Sequence, residues 1–171
     1  KDGLLYRAFP RSSCPGPGAF SLVDGFGGGI PLVATAGSTV QAGTCGAWNA
    51  LVPDAGATVS ALRSDGQTIW WATQNGDVRT CTYPCSTADS GAPRLFVEEK
   101  GPVLGLALDA DRVYWIVGGR ISFLRKAAAP DEKPTTLATG QGTIRALVVG
   151  SSSLYWTTDQ GLLVSASVNP L

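Results

Sequence analysis

The chain has 171 residues, with 13 Lys+Arg balancing 13 Asp+Glu, only 15% charged residues and no histidine. That length is compatible with one domain, the charge balance gives no electrostatic handle for nucleic acid or an anionic membrane, and no apolar run of about 18 residues offers a transmembrane segment. The missing histidine removes Ser-His-Asp and Cys-His nucleophile systems, His-ligated metals and imidazole acid–base chemistry in one step, and no cofactor is expected.

In chain order, Gly3-Leu4-Leu5-Tyr6-Arg7-Ala8-Phe9 reads as a strand, and Ser12–Gly29 as the most loop-like segment. The run Gly25-Phe26-Gly27-Gly28-Gly29 lacks a following Lys-Ser/Thr and a helix, so it reads as a turn and not as a phosphate loop. Pro31-Leu32-Val33-Ala34-Thr35 reads as an outer strand, and Gly43–Thr58, with Trp48 and Pro53, as a second loop-like stretch. Residues 1–58 are therefore expected to form an irregular, Cys-containing, partial or degenerate unit.

From residue 59 one pattern is written three times. Val59, Val103 and Ile144 each open a short apolar run, and each run ends in a polar turn: Ser64-Asp65-Gly66-Gln67, Asp109-Ala110-Asp111-Arg112 and Gly150-Ser151-Ser152-Ser153. An aromatic strand follows: Ile69-Trp70-Trp71, Val113-Tyr114-Trp115 and Leu154-Tyr155-Trp156. Next come a Gly-marked turn, a third strand, and a fourth segment introduced by Pro93 or Pro134, where an edge strand needs no ladder N–H. The runs are short, rich in Val, Ile, Thr and aromatics, and bounded by Gly, Asp, Ser and Pro, which is strand punctuation.

Ile69 to Val113 spans 44 positions and Val113 to Leu154 spans 41. A four-stranded unit at that period is what a β-propeller blade writes into a sequence. The expectation is an all-β propeller with blades at 59–102 and 103–143 and an incomplete one at 144–171, following the irregular 1–58. That is a partial propeller or small ring, three clear blades plus a partial one. Trp71, Trp115 and Trp156, with Ile69, Val113 and Leu154, recur at blade period as core positions must.

The aliphatic-Tyr-Trp strand after a polar turn resembles the YWTD and NHL-type β-propellers, and is most similar to secreted bacterial members with degenerate repeats. Tyr155-Trp156-Thr157-Thr158-Asp159 comes closest, with its Asp one place late. The other two copies, Trp70-Trp71-Ala72-Thr73 and Tyr114-Trp115-Ile116-Val117, lack that Asp, so the polar network it would build is not carried over. The resemblance covers roughly residues 57–171 and implies a ring, commonly six-bladed. At this period six blades need about 240–270 residues. Three closures follow: a piece of a longer propeller (which the absence of Met favours), a ring of about four blades whose first strands complete the last, or a ring closed by a second copy or a partner chain.

Cys81 and Cys85 flank Thr82-Tyr83-Pro84, where a local disulfide would pin the turn, leaving Cys14 to pair with Cys45. Four cysteines allow three connectivities, and buried free thiols are the alternative. Zinc would require more than one close cysteine pair. Disulfides would place the chain in an oxidising, extracytoplasmic compartment: secreted, periplasmic or cell-surface.

Asp65, Asp109 and Asp111 occupy equivalent hairpins. Turn capping explains them, and calcium ligation is the sharper reading, broken by Gly150-Ser151-Ser152 in the third copy. Trp48 and Phe26 lie outside the repeat and are candidate surface contacts. These features favour a non-catalytic extracytoplasmic module that binds or assembles on a protein or glycan surface. The alternatives are a metal-dependent propeller hydrolase or lyase with carboxylate ligands in the channel, and a structural subunit of a surface filament or coat.

Overall fold

The computed structural model describes residues 22–24, 32–44, 47–86 and 91–168. Within them every regular element is a strand, and the strands form four antiparallel sheets. The first holds β1 (Leu22–Asp24), β2 (Leu32–Ala36), β3 (Thr39–Thr44) and β4 (Ala47–Val52). The second holds β5 (Val59–Ser64), β6 (Thr68–Thr73), β7 (Asp77–Thr82) and β8 (Arg94–Glu98). The third holds β9 (Val103–Leu108), β10 (Arg112–Val117), β11 (Arg120–Arg125) and β12 (Thr135–Ala138). The fourth holds β13 (Ile144–Val149), β14 (Ser153–Thr158) and β15 (Leu163–Ser167). Every sheet is an up-and-down meander in chain order.

The hairpin turns follow from local chemistry. Asp65 Oδ1 accepts the backbone N–H groups of Gln67 (3.3 Å) and Thr68 (2.9 Å). Asp109 Oδ1 accepts those of Asp111 (2.8 Å) and Arg112 (2.6 Å). An Asp side chain that binds its own chain two and three residues on is a backbone turn held by a carboxylate. At the other end of the aromatic strand, Gly76 (φ +104°) and Gly119 (φ +76°) take left-handed conformations, and their carbonyls accept the amides of Glu99 (3.1 Å) and Gln141 (3.3 Å). Each hairpin glycine thereby holds the segment that enters the next sheet.

The core lies between sheets, in three separate layers. Trp71 and Ile69 pack with Val33, Val40 and Val52 between the first and second sheets. Trp115 and Val113 pack with Trp70, Val78 and Leu106 between the second and third. Trp156 and Leu154 pack with Tyr114, Ile116 and Ile121 between the third and fourth. Adjacent residues on a strand point to opposite faces. The Trp70-Trp71 and Tyr114-Trp115 pairs therefore fill two layers at once, and all four rings are fully buried.

Residues 22–52 differ from the sequence expectation. Leu32–Thr35, expected as part of an outer strand, lie in β2, the second strand of its sheet, and Gly43–Thr58, expected as loop, contains the end of β3 and all of β4. Val33 faces the second sheet as Trp70 faces the third, so Val33-Ala34 stand where the later sheets carry an aromatic pair. Small residues fill this layer because the large Trp71 enters it from the other side. The repeat is thus preserved in backbone and erased in side chains.

Candidate functional site

The same turns that close the hairpins bring polar groups together at the edge of the gap between the second and third sheets. Lys126, just after β11, reaches across to Asp65, with Nζ 2.8 Å from Oδ2. Burial alone would raise the Asp65 carboxyl; the hydrogen bond and charge of Lys126 and the amides of Thr68 and Gln67 outweigh it and hold its pKa below 3.8. Ser60 Oγ donates to the Val103 carbonyl, a second polar tie between these two sheets.

Two openings meet at the Asp65–Lys126 pair. One, about 540 Å³, runs from that pair over Thr68, Trp70, Thr80 and Thr82 to Arg94, beside the Cys81 end of a disulfide. The other, about 510 Å³, is lined by Asp65, Asp109 and the tops of their two turns. Residues of the first opening lie in register: Trp70 is opposite Thr80, and Thr80 is opposite Arg94. Cross-strand partners share a face about 5 Å apart, so indole, hydroxyl and guanidinium form one row.

Of the residues singled out from sequence, Asp65 and Asp109 share the second opening and Asp111 is not part of its lining. Asp109 is further occupied by the Tyr114 hydroxyl, which donates to Oδ2 at 2.6 Å. Among the described residues no three His, Cys, Asp or Glu side chains converge to hold a metal ion. Trp48 is half-buried on β4, where it stacks over Gly43; a Cβ at Gly43 would sit 2.7 Å from the indole. Cys81 and Cys85 are joined as a disulfide with Cα atoms 5.2 Å apart. Phe26, Cys14 and Cys45 lie outside the described residues. Sequence reasoning missed Thr80, Arg94 and Lys126, which become neighbours only through strand register and sheet stacking. The one available signal was the position of Arg94 directly after the repeated Pro93.

A second surface lies on the fourth sheet. Its inner rows, Leu147–Trp156–Val164 and Val149–Leu154–Ala166, pack on the third sheet. Its outer rows, Ala146–Thr157–Leu163 and Val148–Tyr155–Ser165, carry no charge. Tyr155 is 41% exposed, Val148 59% and Leu163 70%, whereas Tyr114, at the same place in the third sheet, is 0% exposed because the fourth sheet covers it. No described residue covers the outer rows of the fourth sheet. No helix among the described residues is long and apolar enough to cross a membrane.

No protein-family model matches the chain, and no curated protein matches it. Solved structures do match. The computationally designed protein Ika8 gives a TM-score of 0.70 at 16% identity, over 87% of this chain and 46% of its own. The computationally designed Ika4 gives 0.67 at 14%, over 91% of this chain and 94% of its own. Hsv2p of Kluyveromyces lactis gives 0.65 at 15%, over 89% of this chain and 50% of its own. The chain thus spans about half the length of Ika8 and of Hsv2p and nearly all of Ika4. At these identities the likeness is one of fold, and with the four stacked antiparallel sheets, three of four strands and one of three among the described residues, it defines an all-β propeller.

Proposed function

We propose that this chain is a non-catalytic, extracytoplasmic β-propeller module of the YWTD/NHL-like kind, which works by docking onto a protein surface. The observation that carries the reading is the outer face of the fourth sheet. Its outer rows present Val148, Tyr155 and Leu163 beside the uncharged Thr157 and Ser165, and no described residue covers them. A sheet face of this kind gains roughly 25 cal/mol for each Å² of apolar surface removed from water, and another sheet face of the same character is its natural complement. A second copy of the chain can supply such a face. The Cys81–Cys85 disulfide supports an oxidising compartment, where such a bond persists.

The test is sedimentation velocity of the wild-type chain and of a Tyr155→Lys, Leu163→Lys variant across a concentration series. Both positions are exposed, so the variant keeps its fold. The expected result is concentration-dependent association of the wild type that the variant loses. A wild type that stays monomeric throughout, with the variant indistinguishable from it in solubility and sedimentation, would overturn association through this face.

A further inference from the structure

We propose that two copies of this chain close one ring, each laying the outer face of its fourth sheet on the first sheet of the other. This rests on the docking reading above and gives it a partner and a geometry. Strand register shows what the open face corresponds to. Leu163 stands opposite Thr157 as Val78 stands opposite Ala72 and Ile121 opposite Ile116, and Tyr155 stands where the second and third sheets carry Trp70 and Tyr114. Trp70, Ala72 and Val78 lie in the layer that the second sheet shares with the third. Tyr114, Ile116 and Ile121 lie in the layer that the third shares with the fourth. Val78 and Ile121 are each 0% exposed, whereas Leu163 is 70% exposed. The face left open on the fourth sheet is therefore the one that a following sheet covers elsewhere in the molecule.

The chain's own first sheet does not take that place. The strand that opens each sheet packs on the one that opens the next, β1 with β5, β5 with β9 and β9 with β13, but among the described residues no comparable packing joins β13 to β1. The core layers of the described residues likewise lie only between successive sheets. The four sheets thus form an open arc. The chain covers 94% of Ika4 and 46% of Ika8, so four such sheets make up nearly a whole chain in one and half of a longer run in the other. Two arcs placed head to tail make a run of that longer kind.

The receiving face lies at the other end of the arc. Val33, Val40 and Ala42 of the first sheet point to the second. Their strand neighbours point away from it, Ala34, Gln41 and Ala50 in one cross-strand row and Gly43 and Trp48 in another. Ala34 is buried within its own chain, Gln41 and Trp48 are half-buried, and Ala50 is exposed, so the last three are the residues a docked sheet would meet. Neither these rows nor the outer rows of the fourth sheet carry a charge, so no ionised side chain in them loses its water on contact. Contact between two different faces either closes into a ring or grows into a filament. Closure of two arcs occupies both ends of both chains, makes the same contact twice and stops at the dimer.

Sedimentation velocity and native mass spectrometry of the full chain test the closure. The wild type is expected to reach a dimer and go no further. Three variants follow: Tyr155→Lys, Leu163→Lys on the fourth sheet, and Ala50→Lys and, separately, Gln41→Lys on the first. Each should weaken the dimer at least roughly tenfold, because a lysine is buried without a partner charge, while the near-UV circular dichroism spectrum stays unchanged. An equimolar mixture of the fourth-sheet variant with Ala50→Lys should regain a heterodimer, since one of its two contacts joins two unaltered faces. If Ala50→Lys and Gln41→Lys associate as the wild type does, and only the fourth-sheet variant fails, head-to-tail closure is overturned while docking through the fourth sheet stands. Growth of the wild type beyond a dimer overturns closure into a ring, and a monomeric wild type overturns both readings.

Discussion

Glu99 is the strongest point at which to test how the sheets are joined. It sits in the segment that enters the third sheet, 11% exposed, and its two oxygens accept from Trp115 Nε1 at 2.7 Å and Arg120 at 2.6 Å. Glu99→Ala would leave the indole N–H buried without a partner. A hydrogen bond to a charged group is worth about 1.5–3 kcal/mol, and the ion pair to Arg120, itself 39% exposed, adds at most about 1 kcal/mol after solvent screening. The expected loss is about 2–3 kcal/mol, a fall in Tm of roughly 5–10 °C for a chain of this size. Trp71 supplies the control. It occupies the same place in the preceding sheet, is 0% exposed, and its Nε1 has no protein partner. Trp71→Phe and Trp115→Phe remove the same atoms, but only the second breaks a hydrogen bond and strands a carboxylate. In urea unfolding Trp115→Phe should therefore cost about 1–2 kcal/mol more than Trp71→Phe. In the double variant Trp115→Phe, Glu99→Ala, the two losses should fall short of additive by a similar amount. Equal costs for the two tryptophans, together with additive losses at Trp115 and Glu99, would refute the claim that this carboxylate fastens the third sheet.

Two further expectations follow from the same geometry. Burial first, and then the hydrogen bond to Asp109, push the Tyr114 hydroxyl up to about 12; because the folded value lies above the ordinary value of 10, the stabilisation is complete below pH 10 and is lost as pH rises from there through 12, so Tyr114→Phe should flatten the fall in stability over that window when unfolding is followed at several alkaline pH values. Gly76 has φ +104° and a Cβ there would lie 2.3 Å from the Glu99 carbonyl oxygen, so Gly76→Ala should destabilise by at least about 1–3 kcal/mol in the same urea assay, whereas Gly66→Ala, at φ +93° with open space around it, should cost less.

Much of the fold is written along the chain because a propeller repeats its physics at a fixed spacing. The second and third sheets bury both faces, so Trp70-Trp71 and Tyr114-Trp115 recur as adjacent large residues, and the turn aspartates Asp65 and Asp109 recur because their hairpins are alike. Those local requirements made the second to fourth sheets readable from residue 59 onward. The first sheet was not readable, because Val33-Ala34 stand at the aromatic position and only the bulk of Trp71, coming from the neighbouring sheet, explains why small residues suffice there. The acceptors that hold Trp115 and Trp156, namely Glu99 and Gln141, lie 16 and 15 residues upstream in segments with no strand signal. The cleft was hidden for a related reason: Thr80 and Arg94 are neighbours of Trp70 by register, and Lys126 meets Asp65 61 positions away by sheet stacking. From residue 59 onward the sequence by itself determined the strands, the turns and the period, since these depend on side chains within a few residues of one another. Only the tertiary structure decided which polar groups face each other across a gap and which apolar face no described residue covers, because sheet-to-sheet packing is a long-range choice that local periodicity does not encode.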